Sequence, residues 1–336
     1  MMRSLSTLSL AALLLSVGGF CSAADLSIAP SDSGAVIKIG DQVFAEYVTG
    51  GGGSNMPYLW PIYGPGQKSM TRAYPMRTVE GEQHDHPHHR GLCFGHEDIA
   101  GTDTWAEEAT FAEQMKGKNA DKAKERLAHL GEIKHRAFEK MESDGKTATL
   151  IALSDYLDHA GKKQLEERRT MIFSLDGDAR IIDVDIELIA SEGPVVSADK
   201  KDAGLSIRVP TSMAVDTGLG GRLINSEGQT DKDAWAKRAK WCDYSGPVDG
   251  ETVGVAMLNH PASFRYPTYW HARTYGLFTA NPFGLHSLND NEPDGAVTIE
   301  PAQPLRLFHR FYFHRGTEKD ADIEAAWKAY SVIEKP

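Results

Sequence analysis

Residues 182–188 read Ile-Asp-Val-Asp-Ile-Glu-Leu, so apolar and acidic side chains alternate throughout the stretch. Successive side chains of a β-strand point to opposite faces, and this period of two therefore predicts a strand with one apolar and one charged face. A turn at 176–178 separates it from another apolar stretch, 170–175. Because so short a turn cannot hold the helix that a parallel crossover needs, the two strands should pair antiparallel.

Similar apolar segments recur along the chain and are mostly bounded by Gly, Pro, Asp or Asn. They lie at 147–153, 205–209, 252–258 and 305–313. Their hairpin-like spacing predicts an all-β fold, a large antiparallel β-sandwich with sheet packed on sheet. The four glycines at 50–53 predict a flexible or tightly turning loop, because glycine adopts positive φ without penalty.

Helical patterns are few and should lie at the periphery. A stretch rich in Ala, Glu and Lys at 104–130 is broken by Gly117, and we interpret it as an excursion from the sheet that flanks a pocket. A short pattern lies at 231–238. The last, at 320–332, predicts a C-terminal helix that covers the domain with one apolar face, formed by Ile323, Ala326, Trp327 and Tyr330.

Residues 1–24 have the layout of a signal peptide, with Arg3, an apolar run at 8–17 and small residues up to Ala24. The apolar run is too short for a membrane span, and Phe20 before Cys21 does not suit a lipid anchor. We expect cleavage near Ala23 or Ala24, a single domain at 25–336, a periplasmic or secreted location, and no membrane attachment after cleavage.

The formal net charge of −11 makes nucleic acid a poor partner, since phosphate binding needs a basic surface. With 41% hydrophobic and 25% charged residues, the composition is that of an ordinary globular protein. Once Cys21 has left with the signal peptide, Cys93 and Cys242 either form a disulfide or remain two buried thiols. The sequence leaves both open.

Histidines crowd one short segment, 84–96, at His84, His86, His88, His89 and His96. Imidazoles spaced by two on an extended segment point the same way, so they could bind one cation or supply acid and base forms near neutral pH. As metal ligands we single out His86, His88 and His96, with a divalent ion such as zinc or calcium as the candidate cofactor. The alternative is a set of solvated surface histidines.

A second constellation lies at 259–284, where aromatic rings mix with His271, Arg273 and Asn281. Flat apolar faces beside hydrogen-bonding groups suit a sugar ring, and Trp270 is the aromatic residue that we assign to it. The alternative is that these are aromatic strands at a core boundary. On the strand at 305–313, His309 shares the apolar face and is interpreted as a hydrogen-bonded core histidine.

These two stretches, together with residues 298–316, resemble a family of exported bacterial proteins known as PmoA-like, over nearly all of the mature chain. A chain without transmembrane helices cannot be the methane monooxygenase subunit of that name. Glu300 before a Pro-x-x-Pro-Leu-x-Leu strand also resembles the galactose mutarotase-like supersandwich. That resemblance implies a histidine acid and a carboxylate base, with His89 or His271 and Glu300 as the catalytic residues.

The preferred function is an exported carbohydrate-active enzyme, an epimerase, lyase or hydrolase, whose substrate is a small sugar or an oligosaccharide. Arg90 and Arg273 would hold anionic or hydroxyl-rich groups, and Glu97, Asp98 and Glu300 are the candidate carboxylates. Arg90 has a structural alternative, an ion pair with Glu97 or Asp98. Two other classes stay open, a non-catalytic sugar-binding protein and a periplasmic metal-binding protein.

Overall fold

The computed structural model describes residues 25–112 and 114–336, so the predicted signal peptide at 1–24 lies outside the described residues. The strands are, in chain order, β1 (Leu26–Pro30), β2 (Gly34–Ile39), β3 (Gln42–Val48), β4 (Tyr58–Ile62), β5 (Leu92–His96), β6 (Glu132–Ser143), β7 (Ala148–Leu157), β8 (Lys163–Asp176), β9 (Ala179–Ile189), β10 (Val195–Ser197), β11 (Ala203–Arg208), β12 (Arg222–Asn225), β13 (Lys237–Arg238), β14 (Trp241–Val248), β15 (Glu251–Asn259), β16 (Tyr269–Arg273), β17 (Leu277–Asn281), β18 (Val297–Ile299) and β19 (Leu305–Arg315). The helices are α1 (Glu108–Phe111), α2 (Ala120–Leu127) and α3 (Ile323–Ser331), with 3-10 turns at Pro65–Gln67, Gln114–Lys116, Thr211–Met213, Val215–Thr217 and Asp231–Ala234.

Two large antiparallel sheets form a sandwich. The first has nine strands in the order β1-β2-β3-β4-β5-β11-β17-β16-β13, and the second has eight in the order β12-β14-β15-β19-β9-β8-β7-β6. Apolar side chains from both sheets share one core, in which the rings of Phe44 and Phe173 meet edge to face at 5.7 Å. The predicted fold class, an all-β antiparallel sandwich with a few peripheral helices, is confirmed.

The alternating stretch that predicted the fold lies in β9, at the middle of the eight-stranded sheet. Its apolar residues Val184 and Ile186 are fully buried in the shared core. The charged face is covered as well. Asp183 makes two hydrogen bonds to Arg310, at 2.6 and 2.8 Å, and Lys335 contacts Asp185 at 2.8 Å. Asp183 and Asp185 are therefore paired with cations, one from β19 and one from the C-terminal segment, rather than open to water.

The peripheral elements agree only in part with the expectations. Helix α3 buries Ile323 and Tyr330 against the second sheet, with Ala326 and Trp327 packed beside them, as predicted. The prediction of a helix at 231–238 was wrong, because the stretch forms a 3-10 turn and then β13, which pairs with β16.

All four glycines at 50–53 have positive φ, as expected for a tightly turning loop. Among the described residues, no helix is long and apolar enough to span a membrane.

The strand order brings distant segments to one edge of the nine-stranded sheet. Neighbours in the series β5-β11-β17-β16 run antiparallel, so the start of β5, the end of β11 and the end of β16 lie at the same edge. Cys93 in β5 and Cys242 in β14 lie in different sheets, and both are buried free thiols.

Candidate functional site

A pocket of about 310 Å³ lies on the outer face of the nine-stranded sheet. Trp270 and Ala272 of β16 belong to the shared core, so the two-residue period turns His271 and Arg273 to the opposite face, where they line the pocket. Three histidines of the crowded segment line it too, at positions 86, 88 and 89. The two histidine-bearing segments singled out in the sequence therefore meet at one cavity.

The loop before β5 is held by two buried arginines. Arg72 donates to the backbone oxygens of Gln83 and His86, at 3.2 and 3.1 Å, and both Arg72 and Arg208 contact the Asp85 carboxylate. Burial favours the neutral form of Asp85, but the His86 hydrogen bond and the two arginine charges outweigh it and hold its pKa well below the usual range. His86 has φ +45°, a strained conformation for a residue with a side chain, which these contacts maintain.

The imidazoles of this loop form a stack. The His86 ring lies parallel to the rings of His89 and Tyr275, with centroids 4.8 and 5.0 Å away. His88 meets His89 edge to face at 4.3 Å, and the Trp105 indole lies 6.0 Å from His89. This wall of the pocket is consequently a continuous aromatic surface with nitrogen atoms at its edges.

The contact between His89 and Arg208 fixes the protonation of the imidazole. Nη1 of Arg208 lies 3.3 Å from Nδ1 of His89, and a guanidinium can only donate, so Nδ1 is the unprotonated nitrogen. Neutral His89 therefore has its proton on Nε2. Burial, followed by the charges on His88 and Arg208, lowers the pKa of His89 well below the ordinary value, which keeps the ring neutral.

His271 has the opposite arrangement. Its Nδ1 lies 2.7 Å from the backbone oxygen of Lys201, which can only accept, so Nδ1 has the proton and Nε2 keeps a lone pair. Burial lowers the pKa of His271 to about 4, although Asp202, 3.6 Å from Nδ1, raises it. Burial in turn raises the pKa of Asp202, but the charges of His271 and Lys201 outweigh it, and the net shift is downward.

The segment 104–130 forms the roof of the pocket, with Trp105, Ala106, Thr110, Gln114 and Arg126 in its lining. The expected excursion that flanks a pocket is thus confirmed. One ion pair joins this roof to the loop before β5, and a second joins its two ends. Arg90 makes two bonds to Glu107, at 2.6 and 2.9 Å, and Arg126 lies 2.7 Å from Asp103. Arg90 is therefore a structural residue, but its partner is Glu107 instead of Glu97 or Asp98.

Two residues predicted to bind substrate have structural positions instead. Trp270 lies in the core, where its Nε1 donates to the backbone oxygen of Ala239 at 3.0 Å. Asn281 donates to the backbone oxygens of Lys200 and Lys201, both at 3.0 Å. It thereby positions the chain just before Asp202. Arg273 lines the pocket, as expected.

Glu300 and His96 do not reach the pocket. Glu300 is exposed in the turn before β19, where its backbone pairs with Gln303, so it is no partner for His271. His96 is fully buried, with Nε2 2.9 Å from the Ser197 hydroxyl and Nδ1 accepting from the Asp98 backbone at 2.9 Å. Glu97 and Asp98 line a separate cavity beyond Arg126.

No three His, Cys, Asp or Glu side chains converge as a metal site in residues 25–112 and 114–336. The Nδ1 atoms of the three pocket histidines in the loop are already engaged, by Asp85 for His86, by Thr110 for His88 and by Arg208 for His89. With His96 elsewhere, the structure does not assemble the predicted ligand set.

The carboxylate of the site, Asp202, was missed by sequence reasoning, as were Lys201 and the roof residues Trp105 and Arg126. Residues 199–202 read Asp-Lys-Lys-Asp, which resembles an ordinary solvated turn. The pairing of β11 with β17, and of β17 with β16, brings this turn beside His271.

Comparison with known proteins yields a family match without a function. A family model described as "Family of unknown function (DUF6807)" matches residues 34–328. This agrees with the expectation of a family of unknown function, whereas the PmoA-like label is not part of the match. No curated protein matches the chain.

Among solved structures, an alpha-galactosidase from Lactobacillus brevis is similar over 88% of this chain, with 8% sequence identity and a TM-score of 0.38. The chain spans 40% of the length of that structure. A likeness at this level supports no inference about activity.

Proposed function

The chain belongs to DUF6807, a family of unknown function, and on that premise we propose that it is an enzyme acting on a sugar ring by general acid–base catalysis, as an epimerase, lyase or hydrolase. One observation supports this most. A proton acceptor, Nε2 of His271, and a proton donor, Nε2–H of His89, come from segments far apart in the chain and line one pocket.

His271 is the proposed general base. Its Nδ1–H is held by the Lys201 carbonyl, so the ring is oriented and Nε2 is free to take a proton from the substrate. Asp202, 3.6 Å away, stabilises the imidazolium that then forms. This is the role that a third group has in base-orienting arrangements generally.

His89 is the proposed hydrogen-bond donor. Because Arg208 occupies its Nδ1, a neutral His89 offers Nε2–H to a substrate oxygen on which negative charge develops. A neutral imidazole with a lowered pKa can polarise a carbonyl or an oxyanion in this way. The Trp105 indole beside it suits the apolar face of a sugar ring.

The pocket volume limits the substrate. About 310 Å³ is at the lower end of ligand pockets, which fits one sugar unit rather than several. We place this activity in the periplasm or outside the cell, on the basis of the signal-peptide layout of residues 1–24.

The test is a panel of hexoses, uronates and glycosides followed by proton NMR in D₂O, with binding measured separately by calorimetry. We expect turnover of at least one compound, and a His271→Ala loss of about 10²–10⁴-fold in turnover with affinity within a few-fold. His159→Ala, at an exposed histidine, is the matched control. Binding without turnover in the wild type would instead identify a sugar-binding protein.

A further inference from the structure

Arg273 differs from the other cations of the pocket in having no acidic partner. Its guanidinium carbon lies 4.7 Å from the Trp235 ring centroid and 5.4 Å from that of Tyr275. Within residues 25–112 and 114–336, no carboxylate oxygen lies within 4.0 Å of its nitrogens. The side chain is half-buried and lines the cavity.

The remaining cations at the pocket are neutralised by the protein itself. Arg126 lies 2.7 Å from Asp103, and Lys201 lies 2.8 Å from Asp202. Behind the histidine stack, Arg208 lies 2.8 Å from Asp85. Acidic residues outnumber basic ones in this chain, 47 to 36, so an arginine without a carboxylate is not explained by a shortage of acidic groups.

We propose that the substrate of this site is an anionic sugar, with a carboxylate bound by Arg273 and ring hydroxyls facing the histidines. This rests on the proposed function and names its substrate class. A guanidinium presents two parallel N–H donors that match a carboxylate, and the two aromatic faces hold it in place before the ligand arrives. Among the described lysines and arginines that line the pocket, Arg273 is the one without an acidic partner, so it provides the charge recognition.

The position of Arg273 also suits the proposed chemistry. It lies two residues after His271 on the same face of β16, so a carboxylate on Arg273 brings a neighbouring ring carbon towards the His271 side of the pocket. Trp235, which holds Arg273, also meets the His271 ring edge to face at 4.7 Å. One indole therefore fixes both the anion-binding group and the base.

Calorimetry with D-glucuronate, D-glucuronamide and D-glucose tests this on the full mature chain, with the galacto epimers in parallel. The amide is a neutral analogue of the acid, so comparing the two ligands tests the role of the negative charge on the wild-type protein. We expect the uronate to bind at least about tenfold more tightly than the amide or the hexose, and Arg273→Gln to bring that ratio close to one. Arg273→Lys should restore only part of it, because lysine keeps the charge but loses the paired donors.

Arg306→Gln, at a half-exposed arginine paired with Glu187 on the other sheet, is the matched control and should keep the wild-type ratio. Equal affinity for acid, amide and hexose in the wild type would overturn the anionic class while leaving a sugar-binding site intact. Binding of none of them would overturn both proposals. Inorganic sulfate that competes as well as glucuronate would indicate an anion site without sugar recognition, and so would also contradict the proposal.

Discussion

The His271 imidazole and the Asp202 carboxylate lie 3.6 Å apart on one wall of the pocket, and each favours the charged form of the other. Asp202 comes from the turn before β11, whereas His271 lies inside β16, so the pair exists only because the sheet aligns these strands. The pairing makes the proton affinity of the proposed base adjustable by a single neighbouring charge.

Replacing Asp202 with Asn should lower kcat/KM by about 10–100-fold and move its acidic limb to lower pH. The direction of the shift follows from the charge. The negative Asp202 carboxylate raises the His271 pKa, so its removal lowers that pKa below its present value of about 4. The measurement is the pH dependence of kcat/KM. Asp98→Asn, at a carboxylate in the adjacent cavity, should leave the limb unmoved. An upward shift in Asp202→Asn would contradict the role of Asp202.

Mild acid should destabilise the fold through buried neutral histidines such as His96. Burial lowers its pKa to about 3, so the unfolded chain takes up a proton below about pH 6.5 and the folded chain does not. Stability is thus lost as the pH falls below that value. His96 should account for about 2 kcal/mol of the loss between pH 7 and pH 5.

Urea unfolding of the wild type and His96→Gln at both pH values measures this contribution. Protonation of His96 would break the hydrogen bond that the Asp98 backbone donates to Nδ1, and the variant cannot undergo that change. We therefore expect His96→Gln to be less stable at pH 7 but less sensitive to acid. Equal sensitivity of the two proteins would show that this imidazole is not the titrating group.

Arg72→Met should loosen the histidine loop. Arg72 is fully buried and donates to the backbone oxygens of Tyr74, Gln83 and His86, so its loss leaves three backbone oxygens without this donor. It also removes one of the two arginines that contact Asp85. Since Asp85 is partly exposed, we expect a cost of about 2–3 kcal/mol in unfolding free energy. Faster amide hydrogen exchange at residues 83–90 checks the local effect. Arg77→Met, at an arginine over Trp60, is the control and should leave exchange there unchanged.

Gly91→Ala should destabilise the connection between the histidine loop and β5. Gly91 has φ +54°, and an added Cβ would lie 2.2 Å from the Leu59 carbonyl oxygen. Backbone atoms cannot yield as a side chain end can, so we expect a loss above about 3 kcal/mol. Gly161→Ala, with φ +78° and open space, should cost only about 1 kcal/mol. Similar melting temperatures for the two variants would contradict this.

The sandwich could be predicted from the sequence because apolar and polar side chains alternate every two residues in its strands. Neighbouring strands are also close together along the chain, which favours antiparallel pairing. The apolar positions of β9, such as Val184 and Ile186, are buried as the alternation required. The same rule, applied to β16, would have separated Trp270 from Arg273, because residues three apart on a strand face opposite ways. Their joint assignment to a substrate site was therefore avoidable.

The other wrong predictions could not have been corrected from the local sequence pattern alone. Whether Asp202 or Glu300 lies beside His271 depends on which strands pair, and strand order is set by the whole core rather than by either segment. The pattern at 231–238 suggested a helix, but the stretch forms a 3-10 turn, and its last two residues, Lys237 and Arg238, pair with β16 as a strand. Tertiary pairing overrode local propensity there.

The pocket lies on the outer side of the sheet, under a roof formed by residues 104–130. The side chains that line it are therefore different from those that fill the core between the two sheets. The apolar side chains of the roof form a cluster of their own, and polar contacts such as Arg90–Glu107, Thr110–His88 and Asn55 to the Ala106 backbone join it to the rest of the molecule. Substitutions in the roof would accordingly change the lining of the pocket without removing any side chain from the core that the two sheets share.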